Sequence, residues 1–102
     1  MARITILYPN APDAQFDMEY YKNSHLELVR SLFGDAVTQI AVHKGLGGPG
    51  GTPAAFLVAT TIDFRDLAAL GAAIEQNGEK ISADVANFTP IVPTIQIEEK
   101  IV

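Results

Sequence analysis

The chain has 102 residues, 48% of them hydrophobic and 19% charged, with no cysteine and a net charge of −5. That length suits a single core and a single domain over residues 1–102, and the apolar content is far from that of a disordered chain. Lack of thiols excludes disulfides, thiolate metal sites and a cysteine nucleophile, and the acidic balance argues against nucleic acid, whose phosphates call for a basic face.

No apolar run approaches the roughly 20 residues needed to span a membrane. The start, Met1-Ala2-Arg3-Ile4, lacks the uninterrupted apolar core of a signal peptide. A cytoplasmic protein with no membrane association is therefore expected.

Residues Arg3 to Tyr8 alternate Ile4, Ile6 and Tyr8 against Arg3, Thr5 and Leu7, which predicts a first strand. The prolines at 9 and 12 end it. Asp17 is placed to cap a helix by accepting from first-turn amides, with Phe16 and Tyr21 as the two ends of a hydrophobic staple. The stripe Met18, Tyr21, His25, Leu28, Leu32 steps by three and four, the spacing of one helical face, and Gly34 stops the helix after Phe33. Ala36 to Lys44 reads as a second strand. Gly45 to Pro53 is a loop, and Ala54 to Ile62 a third strand, so strands two and three form a hairpin.

Asp63, with Asp66 as capping-box partner, is expected to open a second helix. Phe64, Leu67, Gly71 and Ile74 are its predicted inner stripe, and Asn77-Gly78 its end. Ile81, Val85 and Phe88 recur at helical spacing in a short further helix before Pro90. Thr94 to Ile101 is the last strand. The order β-α-β-β-α-β predicts a ferredoxin-like α+β fold, a four-stranded antiparallel sheet with both helices on one face. Strand three is apolar on both faces, which an antiparallel sheet with one wet face should not be. A second copy of the chain is the simplest cover, so a homodimer is expected.

His25 is the most informative position, a ring that titrates near neutrality in the middle of a stripe facing the core. A buried polar group needs a partner. Either His25 is satisfied within a packed core, or it lines a cavity and serves as a pocket acid or base, the catalytic candidate. Tyr21, one turn earlier, either orients that ring and helps stabilise an oxyanion, or simply makes the staple contact. Tyr8 lies at a strand end beside the expected pocket mouth. His43 either shares the pocket or sits at an exposed strand end. Asp84 either pairs with a pocket group or is an ordinary carboxylate near the N-terminus of a short helix, which needs no further explanation.

Two histidines without a carboxylate pattern predict no intrinsic metal and no cofactor, a haem ligated by His25 or His43 being the minority case. The glycine-rich loop lacks the GK[ST] and following helix of a phosphate loop, and a hairpin lid or an edge contact is the expectation there.

Taken together, several of these residues resemble a known family. They are a strand ending at Tyr8-Pro9, then Phe16, then Tyr20-Tyr21-x-x-x-His25. The tail Asp84-Val85-x-Asn87-Phe88-Thr89 precedes the closing strand. The pattern is similar to the EthD-type branch of the dimeric α+β barrel proteins. It covers essentially the whole chain except the Gly45–Pro53 loop. The resemblance implies two ferredoxin-like monomers with sheets packed face to face, and a pocket in each monomer between its sheet and its own helices. In that frame His25 points into the pocket, and Tyr21 and Phe88 lie on or near its wall.

No single activity follows from the resemblance, because the wider superfamily includes cofactor-free oxygenases, isomerases and cyclases. The expectation is a pocket for a small hydrophobic organic compound. Within it His25 acts as acid or base in a cofactor-independent reaction of isomerase, cyclase or oxygenase type. The alternative is a non-catalytic binding or accessory protein of a catabolic pathway.

Overall fold

The computed structural model describes residues 1–102. Four strands, Ala2–Pro9 (β1), Val37–Lys44 (β2), Phe56–Phe64 (β3) and Thr94–Glu99 (β4), form one antiparallel sheet in the order β2-β3-β1-β4. Sequence neighbours β1 and β2 are separated by β3, and β3 and β4 by β1, so each helical connection crosses over one strand. This is the ferredoxin-like α+β arrangement predicted from the element order. No helix is long and apolar enough to cross a membrane.

The first connection is Met18–Tyr20 (α1), a π-helical turn at Tyr21–His25, and Leu26–Phe33 (α2). Asp17 caps it, its carboxylate accepting from Tyr20 N at 3.0 Å. Phe16 and Tyr21 make the staple with ring centroids 5.1 Å apart. Gly34 ends it at φ 56°, a conformation that glycine adopts without steric cost.

The second connection departs from expectation at both ends. Asp63 does not open the helix. It remains in β3 opposite Arg3, whose guanidinium donates to it at 2.5 and 3.2 Å, and Phe64 fills a fully buried strand position. An opposite-charge cross-strand pair and a buried ring both favour the strand. Asp66 is the cap instead, accepting from Ala69 N at 2.7 Å, and the helix Leu67–Asp84 (α3) begins there. Its inner stripe starts at Leu70 and Ala73, while Leu67 and Gly71 are exposed.

Asn77-Gly78 does not end α3. The Asn77 side chain donates to Leu32 O at 3.0 Å, satisfying a carbonyl in the last turn of α2, and Gly78 has no positive φ. Helix and predicted short helix are thus one element, closed by a 3-10 turn at Val85–Asn87.

The helix-facing side of the sheet carries Ile4, Val58, Ile62 and Phe64, all buried. The other face carries half-buried Leu7, Ala41 and Ala59 among Thr5, Thr61 and His43, with the Arg3–Asp63 pair at one end. Gly45–Pro53 closes on itself through Gly48 N to Thr52 O, 2.8 Å, with Gly50 at φ 72°.

Candidate functional site

The sequence stripe fails at one informative place. Leu26 N–H bonds to Tyr21 O, five residues back, which makes the turn π rather than α. One extra residue in a turn advances the buried face by one position. Tyr21 and His25 are buried, but beyond them Leu26, Val29 and Phe33 face the core, and the predicted Leu28 and Leu32 are only half-buried. The insertion also stacks the His25 ring on Tyr21, with centroids 5.5 Å apart and planes 17° from parallel.

His25 is 4% exposed, so its nitrogens must be accounted for. Its Nδ1 lies 2.9 Å from Asp84 Oδ2. The other carboxylate oxygen, Oδ1, accepts from Tyr20 O–H at 2.7 Å and Asn87 Nδ2 at 2.9 Å. Asp84 is therefore not near a helix N-terminus, as its sequence position suggested, but the last residue of α3, where the helix dipole disfavours an anion. Burial pushes its carboxyl up. Hydrogen bonds from Tyr20, Asn87 and His25 together outweigh that and hold it below the ordinary value, while the same carboxylate raises the Tyr20 phenol. An ionised carboxylate on Nδ1 fixes the tautomer with the proton there and leaves the Nε2 lone pair free. Nε2 makes no hydrogen bond within the chain, and no buried side-chain nitrogen or oxygen lacks a partner, so Nε2 opens on free space.

That space is a cavity of about 470 Å³ between the sheet and the helices, which His25 lines. Ile4, Ile6, Tyr8, Thr60 and Ile62 form its floor, and Val92 and Ile95, both exposed, stand at its mouth. No lysine, arginine, aspartate or glutamate lines it. On its wall the Tyr21 and Thr60 hydroxyls bond to each other. The Tyr8 ring is 1% exposed and lines the cavity, yet its hydroxyl bonds to nothing in the chain. Burial, with a smaller contribution from the neighbouring Tyr21, pushes the Tyr8 phenol far up, so it stays a donor.

Of the five residues singled out in the sequence, the structure brings His25, Tyr21 and Tyr8 to one cavity wall. Phe88 stands behind them, its ring 4.7 Å from His25 and 5.0 Å from Tyr21, in the aromatic packing and off the lining. His43 is not in the cavity. It pairs with Ala59, whereas the cavity uses Thr60, and alternation puts it on the opposite, exposed face. The Gly45–Pro53 loop does not line the cavity either, which removes the lid expectation. Tyr20 and Asn87 were missed as members of the site, and for Asp84 the pairing with a pocket group was one of two readings. Their signal was present in the sequence, since all three lie within the two quoted motifs, but the pairing spans 59 positions.

An EthD domain model matches residues 9–90. The chain belongs to the EthD family. The crystal structure of an EthD-like protein from Ralstonia eutropha JMP134 is 33% identical, with a TM-score of 0.90 over 99% of this chain and 92% of that one. An EthD family protein from Bacillus halodurans C-125 is 23% identical, with a TM-score of 0.79 over 99% of each chain. A dimeric protein of ferredoxin-like fold from Bacteroides fragilis is 15% identical, with a TM-score of 0.59 over 97% of this chain and 95% of that one, and shares the fold alone. Comparison with curated proteins returned no match. The EthD match spans both halves of the His25–Asp84 pair.

Proposed function

We propose that this EthD protein binds a small, uncharged, mainly apolar organic molecule in the cavity, and that His25 moves a proton to or from it. The observation that carries this reading is the His25 ring itself. One nitrogen is tied to an ionised carboxylate and the other is bare at the wall of an otherwise apolar cavity. Such a pair holds the ring in one orientation and in the tautomer that presents the Nε2 lone pair. Asp84 is a positioning residue, because it acts through His25. The reaction is of cofactor-independent type and no substrate is named by it.

A second reading keeps the cavity and drops the chemistry, leaving an accessory protein that holds a metabolite in a cytoplasmic catabolic pathway. It is favoured by the wide apolar mouth at Val92 and Ile95, 82% and 58% exposed, which suits exchange of a bound molecule. Naphthalene, neutral and apolar, is the probe for both. Fluorescence titration is expected to show saturable binding that also moves the ring ¹⁵N signals of His25. Absence of binding, or binding that leaves those signals in place, contradicts the site. Turnover with a pH profile displaced by His25→Gln separates enzyme from carrier.

A homodimer through the second sheet face belongs to the same proposal. Leu7, Ala41 and Ala59 on that face support it, and so does the neighbour described as dimeric. Sedimentation equilibrium at micromolar concentration is expected to give twice the chain mass, and a stable monomer contradicts it.

A further inference from the structure

The walls of the cavity hold few unclaimed polar side-chain atoms. Thr89 Oγ1 donates to Gln15 O and accepts from Ile91 N. Tyr21 and Thr60 satisfy each other. Of the buried residues on the lining, only Tyr8 and His25, 1% and 4% exposed, carry a side-chain polar atom without a partner in the chain, the hydroxyl and Nε2, and both atoms are accessible. Tyr8 is placed by the floor of the sheet, opposite Val58, and is held edge-on by Phe16, Tyr21 and Phe88 at 5.1, 6.0 and 5.9 Å. His25 is placed by the π turn and Asp84. The two come from different elements and line one cavity.

We infer that the molecule taken here is an uncharged, apolar carbonyl compound with an acidic C–H beside the carbonyl, and that Tyr8 is a catalytic residue which binds the carbonyl oxygen while His25 removes that proton. This rests on the reading above and names its substrate class. The deduction runs from the unclaimed atoms. A hydrocarbon can fill the cavity but leaves the Tyr8 donor and the Nε2 acceptor unpaired, so a molecule that pairs both is held more tightly. A carboxylate would need a cation that no lining residue supplies. An enolisable carbonyl satisfies both, since its oxygen accepts and its carbon gives up a proton.

In the step itself, His25 Nε2 takes the α-proton. The C–H pair becomes the C=C bond of the enolate, and the carbonyl π pair moves to oxygen, where the Tyr8 O–H bonds to it. Burial keeps the Tyr8 proton in place, so the phenol acts as a fixed donor to developing charge. Return of the proton from Nε2 to the same carbon restores the ketone, and return to a conjugated carbon isomerises it. Nothing is oxidised or reduced, and no co-reactant is needed.

The test uses 2-tetralone in D₂O, with loss of its α-proton signals followed by ¹H NMR, alongside naphthalene binding. Wild type is expected to accelerate the exchange. Tyr8→Phe is expected to lower the rate by about 10²-fold, the usual loss for one oxyanion donor. The substitution deletes only an oxygen that bonds to nothing in the chain, so the fold is kept, which thermal unfolding checks. His25→Gln is expected to return exchange to the buffer rate. Binding of 2-tetralone without exchange, or exchange in Tyr8→Phe at the wild-type rate, overturns this assignment even where naphthalene still binds and upholds the pocket. Failure of naphthalene to bind overturns both.

Discussion

At one end of the sheet the core is almost wholly aliphatic, and four of its members, Ile4, Val29, Phe33 and Ile62, also line the cavity. Ala2, Ile4, Val29, Ile62, Leu70 and Ala73 pack around the Phe33–Phe64 pair, whose ring centroids are 5.4 Å apart. At the other end Tyr8, Tyr21 and Phe88 sit with Phe16, Tyr20 and His25, mostly edge to face. The same sheet and helices serve both ends, so the difference lies in side chains and in the π turn. Branched aliphatics interdigitate to crystal-like density and carry no polar atoms to satisfy. Rings held at their edges have fixed positions and polar tips, which sets functional groups on the wall of the open volume that both clusters border. The aliphatic end holds the molecule together, and the aromatic end holds the site in register.

Substitutions can break that division of labour. The largest effect on stability is expected at the aliphatic end. Phe64→Ala should cost about 3–5 kcal/mol in denaturant unfolding, as for other large-to-small changes of a fully buried ring. Naphthalene binding should survive wherever the variant is folded. A cost below about 1 kcal/mol would mean that the aliphatic end is not the stabilising one.

Asp84→Asn probes the other end. It keeps the shape and loses the charge, so it should cost only about 1–3 kcal/mol. Proton transfer to a bound ketone should fall far more, by about 10²–10⁴-fold. Equal losses in both would make Asp84 structural only.

A smaller effect follows from acid. Asp84 has a folded-state pKa below its ordinary value of 3.8, so its contribution to stability is full above that value and is lost as pH falls through the folded value. Glu98, held down by hydrogen bonds from Thr5 and Gln96, adds a contribution of the same sign from its ordinary value of 4.5. The drop in unfolding free energy between about pH 7 and pH 3 should therefore be smaller in Asp84→Asn than in wild type. An unchanged drop would remove Asp84 from the acid response. Least of all, Leu67→Ala should change stability by no more than about 0.5 kcal/mol, because Leu67 is 61% exposed. A larger loss would restore it to the core stripe that the sequence suggested.

Much of the fold was legible because its signals are local. The Asp17 cap, the Phe16–Tyr21 staple and the Gly34 stop are each set by residues within a turn of one another, and all three are present. What was not legible depends on distant partners. Asn77-Gly78 reads as a helix end until Leu32 O claims the Asn77 amide. Asp63 reads as a cap until Arg3 holds it in the strand. The π turn hides because the spacing of Tyr21 and His25 fits an α-helix equally well, and only the buried positions after it, Leu26, Val29 and Phe33, reveal the shift. His25 was singled out for its chemistry alone. For Asp84 a pocket partner was conceivable but not assignable, since burial and a fold-dependent contact define the pair.

The tautomer of His25 tests the central claim most directly. Ring-¹⁵N histidine labelling and two-bond ¹H–¹⁵N correlation spectra distinguish a protonated ring nitrogen from a bare one, and His25→Gln assigns the signals. At a pH where the ring is neutral, the proton is expected on Nδ1, with Nε2 bare and shifted by added naphthalene, and Asp84→Asn is expected to disturb that state. A proton on Nε2, with Nδ1 bare, would contradict the pairing with Asp84 and remove the base from the cavity.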